Sequence, residues 1–250
     1  MANGRIITVF ATKGGCGKTT VATNLAVTLC ARGTRRVCLV DLDLEYGDDA
    51  CVLGLRAERS LRDALQWEGD VTVDHVAALM TTFRPNLDCV LAPDGPGEAA
   101  HLPHALVRAL LRLLPALYDF IVVDTPARFS QMVLTALDAA DQQVLVTTPE
   151  RPALRNLRHT LDALDLLYDA STRSIVLNKS DPRAGLTPAD VNQLLRTPTA
   201  LSLPNCNDVP ASINRGEPLA FAYPNHPISQ AIHQLAEAVS GQYTHEPPPG

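Results

Sequence analysis

The six cysteines of this 250-residue chain (Cys16, Cys30, Cys38, Cys51, Cys89 and Cys206) form no C-x-x-C pair. That absence disfavours the paired-thiolate arrangement that holds an iron–sulfur cluster. Several of these cysteines fall within apolar runs, where cysteine behaves as a small buried hydrophobe. No apolar run approaches the roughly 20 residues of a membrane-spanning helix, and no basic-then-apolar leader opens the chain. The expectation is a cytoplasmic protein without direct membrane insertion, in which disulfides are not needed. Positive charge is also short. With 21 Lys and Arg against 27 Asp and Glu, the formal net charge is −6, which argues against a surface built as a whole to bind nucleic acid.

One glycine is missing as well. The general phosphate-loop pattern G-x-x-x-x-G-K-[ST] requires glycine where this chain has Thr12. The remainder of the pattern is present as Lys13-Gly14-Gly15-Cys16-Gly17-Lys18-Thr19-Thr20, between the apolar run Ile6 to Ala11 and a helical pattern. Strand, glycine-rich loop and helix in that order make a phosphate cradle. The loop N–H groups and the helix N-terminus face an anion, Lys18 supplies charge near the β- and γ-phosphates, and the Thr19 hydroxyl is placed for Mg²⁺.

The rest of the chain alternates strand and helix. Val21, Ala22, Leu25, Ala26 and Leu29 recur at helical spacing, and Val37 to Val40 is a short continuous apolar run ending in Asp41-Leu42-Asp43. Ligands in open parallel sheets bind beyond the carboxyl ends of strands, so both carboxylates are expected beside the phosphates. A helical pair is expected around Leu61, Ala64 and Leu65 and around Val76, Leu79 and Met80, followed by a strand over Leu87–Leu91 and a Pro/Gly loop at Pro93–Gly97. His101 and His104, at an expected helix start with no third ligand in view, are not expected to hold a metal. Phe120 to Val123, ending in Asp124, reads as a Walker B strand whose aspartate supports Mg²⁺. Further strands are expected at Val144–Thr148, Ser174–Leu177 and Leu201–Asn205. Helices are expected after the strand at Val144–Thr148, running through Leu167, and over Ile228–Val239. Arg151, Arg155 and Arg158 could line one face of the first of these as a basic stripe, or lie on a plain solvated face.

Asn178-Lys179-Ser180-Asp181 stands at a strand end and spells N-K-x-D, the guanine-reading motif of many GTPases. Asn178 fits either base, and the backbone at Pro204 is expected to close the base pocket. The pattern predicts a single α/β domain over residues 1–241, with a mostly parallel twisted sheet and helices on both faces. Residues 242–250, rich in proline, are expected to form a flexible tail.

The loop Lys13-Gly14-Gly15-Cys16-Gly17-Lys18-Thr19 resembles the deviant Walker A motif, K-G-G-x-G-K-[ST], of the MinD/ParA superfamily of P-loop ATPases. That resemblance implies a homodimer bridged by ATP, in which Lys13 reaches the nucleotide of the opposite subunit. It also implies that Asp41 supports Mg²⁺, that Asp43 positions the attacking water, and that the segments around Glu45–Asp48 and Asp124–Ser130 act as switches. Longer runs narrow the resemblance to the CpaE/TadZ branch of pilus-assembly ATPases. They are Val40–Asp48, Leu145–Glu150 with Pro152–Asn156, Val176–Lys179, and Leu203–Asn205 with Ile213–Leu219. Members of that branch commonly carry a receiver-like domain ahead of the ATPase. The branch implies partners in a type IVb (Flp/Tad) pilus secretion machine, with localisation at a cell pole or the inner membrane face through those partners. The alternatives are a MinD/ParA-type positioning or partitioning ATPase acting through DNA or membrane, and a nucleotide-bound scaffold with negligible turnover.

Overall fold

The computed structural model describes residues 4–95, 102–181, 183 and 185–241. The expected 242–250 tail, residues 96 and 97 of the Pro/Gly loop, and His101 lie outside them. Eight strands form one sheet: β1 (Arg5–Ala11), β2 (Val37–Asp41), β3 (Met80–Arg84), β4 (Leu87–Val90), β5 (Phe120–Asp124), β6 (Gln142–Thr147), β7 (Arg173–Ser180) and β8 (Leu201–Pro204). Their order is β3-β4-β2-β5-β1-β6-β7-β8, and every neighbouring pair is parallel except β3 with β4.

Buried parallel strands carry apolar residues on both faces, and the two faces sort the helices. Ile7, Val9, Leu39, Val122, Val144 and Val176 pack beneath α1 (Lys18–Leu29) and α10 (Pro227–Ser240). On the opposite face Ile6, Cys38, Val40, Ile121 and Val123 meet α3 (Val73–Leu79), α4 (His104–Leu113) and Met132 and Ala136 of α5 (Gln131–Asp138). Phe10, Leu145, Ile175 and Leu177 continue that face toward α6 (Arg151–Leu164) and α7 (Pro188–Leu195). Helices therefore cover both faces, as the alternation of elements predicts. Short helices α2 (Asp49–Val52), α8 (Asp208–Asn214) and α9 (Leu219–Ala222) complete the set among the described residues.

Three expectations change. Met80 begins a strand, because β4 would otherwise present an open edge and β3 folds back to pair with it. The turn between them passes through Asn86 at φ 64°, a conformation asparagine tolerates. Leu65, expected on a helix face, is exposed within the single 3₁₀ turn Asp63–Gln66. Finally, α6 ends at Leu164, leaving Leu166 and Leu167 exposed instead of extending the apolar face.

Candidate phosphate and cation site

β5 lies between β2 and β1, and the parallel register sets Asp41 directly beside Asp124. The phosphate loop leaves β1 on the other side of β5, so loop and carboxylates meet at one end of the sheet. At the loop's exit Gly17 adopts φ 84° and starts α1 with no side-chain cap. A side chain there would collide, since an added Cβ would fall 2.1 Å from Asn178 Nδ2. By contrast Thr72, Ser130 and Thr187 cap α3, α5 and α7 with their hydroxyls. The first turn of α1 is thus left to face an anion with its N–H groups and dipole.

A cavity of about 330 Å³ opens above that turn, lined by the whole loop from Lys13 to Thr20 with Asp43, Asp48, Cys51, Val52, Ala127 and Ile213. Lys18 is buried beneath it, and its Nζ lies 2.9 Å from Asp124 Oδ1 and 3.9 Å from Asp43 Oδ2. The Thr19 hydroxyl donates to the other Asp124 oxygen at 2.7 Å. Burial alone would lower the Lys18 pKa, but the Asp124 charge, with Asp43 and Asp49 behind it, reverses this and raises it. The ammonium is therefore a fixed cation, parked on the Walker B carboxylate.

The acidic side holds more charge than the sequence indicates. Asp41 Oδ1 accepts from Asp43 N at 2.9 Å, and its Oδ2 accepts from Asp49 N at 3.3 Å. Burial, with the Asp124 charge, pushes the Asp41 carboxyl up to about 8. Asp43 is half-buried; burial raises its pKa while Lys18 opposes the rise. Asp49, which the motif reading does not single out, is fully buried with Asp41 and Asp124. One oxygen from each of the three lies within 4.8 Å of the others. Carboxylates and the Thr19 hydroxyl are the hard oxygen donors that Mg²⁺ takes. Neither Asp49 oxygen has a hydrogen-bond partner among the described residues. The residues present fit a divalent cation.

Other predicted residues are placed as follows. Lys13 is exposed, with Nζ 3.4 Å from Glu150 Oε2, and the same Glu150 oxygen accepts from Thr148 Oγ1 at 2.7 Å. Cys16 is buried in the loop, and burial raises its thiol pKa. Asn178 and Pro204 do not line the phosphate cavity. Asn178 Nδ2 donates to the Cys16 carbonyl at 2.8 Å, and Lys179 Nζ donates to the Gly15 carbonyl at 2.8 Å. Asp181 accepts from the Arg183 guanidinium at two nitrogens. Arg158 does not join a basic stripe: it pairs with Asp162 and donates to the Leu195 carbonyl, so of the three arginines only Arg151 and Arg155 are exposed.

Two further features escape motif reading. Gly54 (φ 63°) and Gly216 (φ 68°) pack backbone to backbone, and a Cβ on Gly216 would lie 2.6 Å from Gly54 Cα. This contact joins the loop after α2 to the loop after α8, the elements that bring Val52 and Ile213 to the cavity. Asn24 of α1 accepts from Ala220 N at 2.7 Å, tying the helix that begins at the phosphate loop to α9.

Comparison with known proteins agrees with this geometry. Residues 4–177 match a family model described as an AAA domain. The chain is 29% identical over 244 residues to the septum site-determining protein MinD of Synechocystis sp., covering 95% of this chain and 90% of that protein. The septum site-determining protein MinD of Pyrococcus horikoshii OT3, solved in complex with Mg-ADP, superposes with a TM-score of 0.81 at 26% identity, covering 94% of this chain and 96% of that one. A ParA family ATPase from Chlorobium tepidum TLS gives a TM-score of 0.83 at 23% identity, over 93% of this chain and 98% of that one, a likeness of fold.

Proposed function

This chain belongs to the AAA domain family, among its MinD/ParA-type P-loop ATPases, and from that premise we propose that it is an ATP-hydrolysing, Mg²⁺-dependent dimerisation switch that positions a cellular assembly. The observation that carries the reading is the double attachment of Asp124 to Lys18 and Thr19 beneath an uncapped helix start. A lysine held this way is available to move onto incoming phosphate, where it neutralises charge that develops during phosphoryl transfer.

The N–H groups of Gly14, Gly15, Cys16 and Gly17, with those of Lys18, Thr19 and Thr20, bind and orient the phosphates. Thr19, Asp41 and Asp124 hold Mg²⁺, which when bound polarises the phosphoryl oxygens. Asp43, half-buried and facing the same cavity, orients the attacking water. Lys13 exchanges its Glu150 contact for the nucleotide of a second copy, and so couples occupancy to dimerisation. Tyr46 and Phe129 lie in the two switch segments and expose apolar rings, which suits surfaces covered on pairing. Asn178 and Pro204 form the far wall of the base pocket, with adenine preferred. Asp181 pairs with the exposed Arg183 guanidinium in this structure.

A general positioning role fits the named relatives most directly. The narrower reading, a partner in type IVb pilus assembly, rests on the sequence runs from Val40 to Leu219. Two routes to the cargo are weakened. With Arg158 paired, the exposed arginines of α6 make a poor DNA-binding stripe. The apolar face of α10 is packed against the core, so that helix does not offer it to a bilayer. Among the described residues no helix is long and apolar enough to cross a membrane.

Light scattering of wild type and Asp43→Ala with Mg-ATP, Mg-GTP or Mg-ADP tests the switch. A dimer formed only with ATP, and persisting in the variant, is the expected result. A monomer under every condition overturns it.

A further inference from the structure

We propose that Asp49 is a third carboxylate of the cation site, closing a box with Asp41 and Asp124 that captures a divalent cation, Mg²⁺ or Mn²⁺, as Lys18 leaves for the phosphates. The inference rests on the nucleotide reading above and adds to it a residue and an order of events.

Charge and geometry carry it together. Asp41 comes from the end of β2, Asp124 from the end of β5, and Asp49 from the first turn of α2, yet all three converge and are buried together. Buried carboxylates are ordinarily paired or hydrogen-bonded. Asp41 and Asp124 meet that rule and Asp49 does not, since both of its oxygens lack a partner among the described residues. The cation nearest this box is the Lys18 ammonium, which contacts Asp124 and stands 3.9 Å from Asp43. Once Lys18 turns to a phosphate group, three buried carboxylates are left side by side without its positive charge. Three hard oxygens within 4.8 Å of one another then suit a small dication.

The box also lies under the first switch segment. A Cβ on Gly47 would sit 2.6 Å from Asp41 Oδ2, so Gly47 of that segment packs directly against the Asp41 carboxylate. Asp49 follows that segment immediately. Drawing its carboxylate toward a cation would pull on the same stretch that carries the exposed Tyr46 ring. Cation capture, and not nucleotide alone, would thereby set the switch.

The test is Mn²⁺ titration, read by electron paramagnetic resonance, of wild type and Asp49→Asn saturated with a fluorescent ADP. Nucleotide affinity is first measured in EDTA. The expected result is equal nucleotide affinity and about tenfold weaker Mn²⁺ binding in the variant. Equal Mn²⁺ affinity overturns the proposal while leaving the nucleotide reading intact; failure of the wild type to bind the nucleotide at all sinks that reading instead. If Asp49→Asn does not fold, nucleotide-free Lys18→Met decides. Mn²⁺ should raise its melting temperature, because the competing ammonium is gone, and no shift counts against the box.

Discussion

The side-chain amide of Asn178 holds the carbonyl of Cys16 at 2.8 Å, so the residue that follows β7's apolar stretch braces the phosphate loop from behind. Lys179 does the same for the Gly15 carbonyl at 2.8 Å, from a backbone angle of φ 54°. The pair that sequence logic assigns to the base therefore also shapes the cradle.

Asn178→Ala should remove that brace. The expected cost is about 1 kcal/mol of stability, the usual worth of one such hydrogen bond, with weaker binding of nucleotide. Denaturant unfolding and fluorescent-ATP titration would check it. Unchanged nucleotide affinity would mean the loop keeps its shape unaided.

Lys18→Met should do more than stop turnover. It strands the buried Asp124 carboxylate, and losing one partner of a buried ion pair costs about 3–5 kcal/mol. The double variant Lys18→Met/Asp124→Asn should recover much of that loss while remaining inactive. Chemical denaturation of both would show whether the loss is electrostatic or a matter of packing.

Lys13→Ala separates function from folding. The side chains of Lys13 and Glu150 are 49% and 57% exposed, and ion pairs of this kind contribute about 0.2–1 kcal/mol. The melting temperature should barely move, whereas ATP-dependent dimerisation and hydrolysis should be lost. Retained dimerisation by light scattering would remove Lys13 from the interface.

Acidity should affect the nucleotide-free protein in an unusual direction. Asp41 is pushed up to about 8 by burial and by the Asp124 charge, and Asp49 is raised by burial and by Asp41. Carboxyls with folded values above the unfolded ~4 bind more protons when folded, so stability falls as pH rises from about 4 through 8. Melting temperatures measured without metal should therefore be higher at pH 5 than at pH 8, and Asp49→Asn should flatten the slope. The depressed carboxyls, Asp162 and Asp190 among them, act below this window. A melting temperature that rises across the window would contradict the buried-acid account.

Gly216→Ala should be poorly tolerated. Its φ of 68° and the 2.6 Å approach to Gly54 Cα leave no room for a methyl group, and the expected loss is about 1–3 kcal/mol. Because the contact supports Val52 and Ile213, nucleotide affinity should fall with stability. A binding titration at a temperature where the variant stays folded would test that link.

What could be read from the chain was local. The phosphate loop, the Walker B strand and the Asp41–Asp43 pair are contiguous, and each is framed by an apolar run that fixes its place at a strand end. Asp49 was not legible, because an acid following Tyr46-Gly47-Asp48 looks like surface until the sheet register sets Asp41 beside Asp124. Arg158 looked like one of three equivalent arginines until α7 brought the Leu195 carbonyl to it. β3 was misread for the same reason: Met80 completes a helical spacing, and only the open edge of β4 makes it a strand. In each case the deciding partner is distant in the chain.

The exposed thiol of Cys51 sits on the wall of the phosphate cavity, whereas Cys16, Cys30, Cys38 and Cys89 are buried. Burial raises the pKa of the Cys16 thiol in the loop itself, which suppresses the thiolate that alkylating reagents attack. An alkylating fluorophore offered to the native protein would thus find Cys51 before the half-buried Cys206, two residues past the aspartate that has no partner among the described residues. The molecule carries its own attachment point for a dye, placed where emission would report the arrival of phosphate and metal without a single engineered substitution.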